Sequence, residues 1–262
     1  MSARERAPGG CRPTAVFAGL SLVGLVVAGV LTTWGGASLD PAAQTALGIV
    51  GAVLALLGAA AGTALLQRWG REEVGFVPDR GVRLWLAAVL GGGSVGIVGS
   101  LLAERWGEPL ARALSWPESA DALDRFGEAL LGSTGALRLA LILLAILVGP
   151  LAEELAFRGL LWRALPPRPV LRVLVTTLAF ALLHLDPVQS LGVLPLGLLL
   201  GWLRLRSRGL GPVALAHVVN NTVALGLMTT LPDQDASAVI VGVALALTGV
   251  GVGLAASARQ VE

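Results

Sequence analysis

Charge is what this sequence has least of. Only 14% of its 262 residues are charged while 55% are hydrophobic, and a soluble domain carries about 25% charge. So few charges cannot coat a globule of this size, and the chain reads as a membrane protein. Lysine and tyrosine are absent, so all 19 basic residues are arginine. The formal charge is only +2, which leaves no basic surface for nucleic acid. A single cysteine, Cys11, excludes an intrachain disulfide. The same apolar excess excludes disorder and a coiled coil, and no inverted repeat or low-complexity tract stands out.

What the chain does have is long hydrophobic runs. A spanning helix requires about 20 apolar residues, and eight stretches qualify, at 14–34, 43–66, 84–102, 136–165, 169–185, 188–203, 209–229 and 237–256. The expected fold is all-α, a polytopic transmembrane bundle of about eight spans. The first run follows Arg4, Arg6 and Arg12 and exceeds the 7–15 apolar residues of a signal peptide, so it reads as a retained helix. With the N-terminus inside, fifteen arginines fall on inner segments, and only Arg105, Arg112, Arg125 and Arg138 fall outside. Basic residues stay on the cytoplasmic side, so both termini are expected there. Trp34, Trp69, Trp85, Trp106 and Trp202 sit at expected helix ends, where indoles favour the interface.

The organisation read from this pattern is a leader (1–13), N-terminal helices (14–135) with an outer loop at 103–135, a core (136–229), and a last helix and tail (230–262). In the loop, Leu123, Phe126 and Leu130 follow helical spacing. They suggest a short helix along the interface, with a solvated loop as the alternative. Gly58/Gly62, Gly92/Gly96 and Gly197/Gly201 match the small-xxx-small packing pattern.

Ionisable groups inside a span are costly and point to function. They concentrate in three segments: Glu153, Glu154 and Arg158; His184, four residues after Phe180; and His217 with Asn221. Both histidines of the chain lie there. Pro166, Pro167 and Pro169 break the helix, so the fourth and fifth spans fold back as a hairpin that brings the glutamates and His184 to similar depth. His217 reaches a similar level from the arginines ending at Arg208. Glu154 and Arg158 have the i, i+4 spacing of a helical ion pair, and His217 and Asn221 share a face. Glu153 and Glu154 point about 100° apart, so one looks into a shared cavity while the other braces Arg158 or a neighbouring helix. Pro150 reads as a kink whose freed carbonyl helps open a wet cavity.

Glu153-Glu154-x-x-x-Arg158, Phe180-x-x-x-His184 and His217-x-x-x-Asn221, in that order on successive apolar helices, resemble the motif set of the CPBP family. These are the intramembrane proteases that include the type II CaaX-prenyl endopeptidases and bacteriocin-immunity relatives. The resemblance covers about residues 136–229 and implies peptide-bond hydrolysis within the bilayer, on a membrane protein or peptide as substrate. It makes 136–229 the catalytic core. Glu153, helped by His184, would take a proton from the attacking water. His217 and Asn221 would donate to the oxyanion, and Glu154 and Arg158 would hold the helix face. Covalent catalysis is not expected, because Cys11 lies in the leader and no Ser or Thr has an Asp-His partner.

A metal is left open: Glu153, His184 and His217 could make a zinc site with a free position, but the His-Glu-x-x-His arrangement is absent. A metal-free glutamate mechanism is slightly favoured. Two other readings stand beside the protease, a proton-coupled transporter and a non-catalytic membrane binding or immunity protein. The arginine-only, Gly/Ala-rich composition points to a GC-rich bacterial genome, and so to the plasma membrane.

Overall fold

The computed structural model describes residues 13, 15–21, 24, 39–78, 81–116, 120–184, 186–230 and 238–257. Among them there is no strand. We number the helices α1 (Pro41–Gln67), α2 (Val82–Ala113), α3 (Ala120–Gly132), α4 (Gly135–Ala164), α5 (Pro169–Leu182), α6 (Pro187–Gly192), α7 (Leu194–Arg206), α8 (Gly211–Thr230) and α9 (Ala238–Ser257). Three of them, α1, α2 and α4, are long and apolar enough to cross a membrane; α5 and residues 243–257 are shorter apolar helices. The leader with Cys11, most of the expected first span with Trp34, and the tail with Arg259 lie outside the described residues. Of that first span, Phe17 is described and buried in the main apolar core.

Local chemistry starts and ends these helices. Aspartate followed by proline opens two. Asp40 Oδ1 accepts from the Ala43 N–H at 3.0 Å, and Asp186 Oδ1 from the Gln189 N–H at 2.7 Å. The proline that follows has no N–H to leave unsatisfied. Arginines close others. Arg138 donates to the Leu130 and Leu131 carbonyls at the end of α3, Arg172 to Leu165 and Pro166 after α4, and Arg206 to Ala255 and Ala256 at the end of α9. Those carbonyls form the negative pole of each helix, which a guanidinium complements.

Two expected boundaries move. The stretch 188–203 is not one helix but breaks at Val193 into α6 and α7. Pro195 offers no N–H to the carbonyl four residues back and crowds it. The expected end at 102 is passed as well, because α2 runs on through a π-helical stretch, Ala103–Gly107, to Ala113. Gly107 lies so close to Val188 of α6 that a Cβ would come within 2.8 Å of its backbone. The expected outer loop is therefore largely the end of α2 plus α3. On α3, Ala129 and Leu130 are buried with Leu141, and Phe126 packs on them, so this face turns toward α1 and α4. The Leu123 side chain is outside the described residues.

Helix α2 is the hub, packing on α7, α8 and α9. Two of the three glycine pairs lie at close contacts. A Cβ on Gly92 would collide with the backbone of Ala216, the residue before His217. On α7, a Cβ at Gly197 or Gly201 would press to 2.9 Å on Thr177 or 3.0 Å on Val173 of α5. In the third pair Gly58 meets nothing, while a Cβ on Gly62 would press to 2.9 Å on the Leu20 side chain. Small residues of this kind let helix axes approach where no larger side chain fits.

The outer faces are apolar too. Leu139, Leu143, Leu147 and Leu151 form an exposed i, i+4 row on α4, and Val170, Leu174, Leu178 and Leu182 form one on α5. Helices apolar inside and out suit a hydrocarbon solvent rather than water.

Candidate active site

The site is built on α4, and α4 is not a regular helix. It contains two π-helical stretches, Leu144–Val148 and Leu155–Leu161, on either side of the two glutamates. At the first, the Gly149 N–H reaches back five residues to the Leu144 carbonyl. Ala145 is then left without a helical donor, because the residue five positions after it is Pro150, which has no N–H. The orphaned carbonyl is taken by a side chain of another helix: Asn221 Nδ2 of α8 donates to Ala145 O at 2.9 Å. The second stretch repeats the arrangement. There the Trp162 N–H goes to the carbonyls of Phe157 and Gly159, and Arg204 Nε of α7 donates to the Arg158 carbonyl at 2.9 Å.

Between the two stretches, Glu154 is the electrostatic centre. Its side chain is 1% exposed, and Oε1 accepts both from Arg158 at 2.9 Å and from His217 at 2.8 Å. Arg158 is fully buried, donates also to the Gly197 carbonyl at 3.1 Å, and lies 4.8 Å from the centre of the Phe180 ring. Buried charges of this kind persist only with partners on each side. An ionised carboxylate can only accept, so the His217 atom bonded to it, Nδ1, carries a proton. That turns His217 Nε2 toward Glu153, whose Oε2 is 3.7 Å away. The gap is too long for a hydrogen bond. Glu153 is the more open carboxylate, with its side chain 24% exposed.

His184 is placed by its own helix. Its Nδ1 lies 3.0 Å from the Phe180 carbonyl. A carbonyl only accepts, so Nδ1 is a protonated nitrogen, and in the neutral ring Nε2 keeps its lone pair. The Phe180 ring stands edge to face with both imidazoles, at 5.2 Å from His184 and 5.5 Å from His217, and Phe157 closes behind it at 5.9 Å. Among the described residues His184 makes no hydrogen bond or ion pair with either glutamate. It joins the cluster through Phe180.

The structure thus brings Glu153, Glu154, Arg158 and His217 into direct contact, with His184 one ring away and Asn221 anchored to the same helix as the glutamates. Phe180, already singled out in the sequence by its i, i+4 spacing to His184, spaces the histidines. Three contributors escape a sequence reading: Arg204 holds the Arg158 carbonyl, the Gly197 carbonyl receives Arg158, and Asn220 donates to Asn221 Oδ1 at 3.1 Å.

Among the described residues, no three His, Cys, Asp or Glu side chains group as metal ligands. His184 is held to the Phe180 carbonyl and stands across the Phe180 ring from His217, so Glu153, His184 and His217 do not converge as one ligand set in this geometry. The Nδ1 contacts are not what prevents it, since a ligating imidazole commonly binds through Nε2 with Nδ1 engaged in this way.

A family model described as type II CAAX prenyl endopeptidase Rce1-like matches residues 135–223. The match runs from the start of α4 into α8 and contains every residue of the cluster. No curated protein and no solved structure matches the chain.

Proposed function

With residues 135–223 belonging to the Rce1-like family, we propose that this chain is an intramembrane endopeptidase that hydrolyses peptide bonds of membrane-associated proteins or peptides with a water activated by Glu153. The observation that carries the reading is the asymmetry of the two glutamates. One is buried and spends its charge on Arg158 and His217; the other is partly exposed and faces the imidazole nitrogen that Glu154 leaves free.

In this scheme the substrate carbonyl enters beside Glu153. Water attacks the carbonyl carbon and gives a proton to the Glu153 carboxylate, while the His184 Nε2 lone pair accepts a hydrogen bond from the same water and aligns it. The carbonyl π electrons move to oxygen. The oxyanion meets the second N–H of Asn221 Nδ2, whose first is spent on Ala145, and His217 Nε2 when that nitrogen is protonated. Donors aimed at a developing oxyanion are each worth ~10²–10³ in kcat in other enzymes. As the intermediate collapses, the C–N bond breaks and the proton on Glu153 passes to the leaving amine, giving a carboxylic acid and an amine; the acid's remaining proton then passes to the amine, leaving carboxylate and ammonium. Glu154 never reaches substrate; it fixes the ring of His217, and Arg158 balances its charge.

The setting that goes with this function is a bundle of about eight spans with both termini in the cytoplasm, in the plasma membrane. The exposed leucine rows of α4 and α5 support contact with lipid. The test is Glu153→Gln in purified full-length protein, reconstituted in proteoliposomes with a tagged transmembrane peptide. Turnover should fall by ~10³ or more, the scale of losing a general base together with its contact to water. Cleavage that continues at the original rate would overturn the proposal.

A further inference from the structure

Asn221 and its neighbour Asn220 are the only asparagines in the chain, and the structure binds them to each other. Residues one apart on a helix point about 100° away from one another, so Asn220 has no geometric need to reach Asn221. It does so where α2 comes close. A Cβ on Gly96 would lie 2.7 Å from Asn220 Oδ1, so only glycine at that position leaves room for the carboxamide to lie back along α8. In that pose Asn220 Oδ1 is buried with no hydrogen-bond partner. An unsatisfied buried acceptor is unfavourable, and an alanine or leucine at 220 would avoid it. What the pose secures is the bond from Asn220 Nδ2 to Asn221 Oδ1 at 3.1 Å.

That bond settles which way the Asn221 carboxamide faces. The Ala145 carbonyl can only accept, so Asn221 must present nitrogen to α4. Its oxygen then points back along α8 and needs a donor, which Asn220 supplies. We propose that Asn220 is a positioning residue of the site, holding the Asn221 carboxamide with its N–H side toward α4 and the reacting carbonyl, in a notch that Gly96 keeps open. The inference rests on the endopeptidase reading for its effect on turnover, but its structural half does not.

The test uses the fact that protein labelled with ¹⁵N-asparagine shows only two side-chain amide groups. In Asn220→Leu the remaining NH₂ signal, that of Asn221, should shift and exchange with solvent faster, and kcat on the tagged transmembrane peptide should fall ~5–10-fold with KM changed less than about two-fold, as for one lost hydrogen bond. Gly96→Ala displaces Asn220 without deleting it and should act in the same direction. The double variant should be no worse than the worse single, because both changes break one contact. An Asn221 signal unmoved in either folded variant, or losses that multiply in the double variant, would overturn the inference. Glu153→Gln separates the two claims. If cleavage survives Glu153→Gln, the endopeptidase reading fails and the Asn221 signals alone judge Asn220. If Glu153→Gln is inactive and Asn220→Leu is fully active, the positioning role fails alone.

Discussion

The two π-helical stretches of α4 do the same thing for different reasons. Each misaligns the backbone ladder by one residue and leaves one carbonyl to a side chain of a neighbouring helix, Ala145 to Asn221 and Arg158 to Arg204. The first stretch is dictated by covalent structure, since Pro150 cannot supply the missing donor. A π-helical stretch in α2 has the same grammar: the Glu108 N–H returns to the Ala103 carbonyl and Pro109 follows. No proline accompanies the second stretch in α4. It is almost wholly buried, its Gly159 lies so near the turn following α1 that a Cβ there would come to 2.9 Å from the Val74 carbonyl, and its Arg158 is held by Glu154 and Gly197. Packing imposes the second stretch, and proline chemistry imposes the first. The lesson is that the stretch serving Asn221 should be fragile in activity and the stretch serving Arg158 fragile in stability.

Arg158→Leu should break that comparison most severely. Removing the guanidinium leaves the Glu154 carboxylate buried with only His217 beside it, and breaking such a pair costs about 3–5 kcal/mol. Unfolding of the purified protein in mixed micelles by denaturant should register the loss, and turnover should vanish with it because the Glu154 carboxylate that fixes His217 is no longer held in place. A stability within about 0.5 kcal/mol of the parent, the ordinary scatter for a surface site, would mean that the buried pair is not what holds α4.

Next in size is Arg204→Leu. It leaves the Arg158 carbonyl without its donor, a penalty of about 1–3 kcal/mol for a buried unsatisfied group. The Arg158–Glu154–His217 chain is untouched, so the folded fraction should cleave the tagged peptide at nearly the parental kcat. A large fall in kcat with unchanged stability would invert the assignment of the second stretch to stability.

How much of this was legible in the sequence follows the same division. Helix extents come from apolar runs and from Asp-Pro starts, which are local, and α1, α5, α8 and α9 lie within a few residues of the runs that predict them. The break at Val193 was equally local, since Pro195 marks it, but the apolar run continues across it and hides it. The glutamates, histidines and Asn221 are conspicuous because polar groups are rare in such helices, and Pro150 announces the irregularity before Glu153. Arg204 and Asn220 are different. One looks like a terminal arginine among several and the other like a neighbour of the motif. Their roles exist only because α7 reaches α4 and Gly96 of α2 admits a carboxamide, which are facts of helix approach and not of spacing along the chain.

Pro150→Ala sharpens the comparison from the other side. An N–H at position 150 lets the helix reclaim the Ala145 carbonyl, so Asn221 loses its anchor. An interior proline removed from a helix should leave stability unchanged or slightly higher, while kcat should drop about ten-fold, near the worth of one misplaced hydrogen bond. Measuring kcat and the unfolding midpoint on the same preparation separates the two. Loss of stability without loss of kcat would show that Pro150 serves the fold and not Asn221.

The smallest expected effect is none. If Glu153 activates water without a metal, as the separation of His184 from His217 by the Phe180 ring suggests, then chelation with phenanthroline should leave turnover where it was, and added zinc should not move the imidazole signals. With only two histidines in the chain, ¹⁵N-histidine labelling reads both rings at once. Each should show Nδ1 protonated, as a carboxylate or carbonyl at Nδ1 requires. Glu154→Gln should then disturb the pattern at His217 alone, because a carboxamide can either accept or donate, while His184 keeps its bond to Phe180. A ring found with Nε2 protonated and Nδ1 bare would detach that histidine from the partner assigned to it, and zinc-shifted signals on both rings would return the two imidazoles to a shared metal.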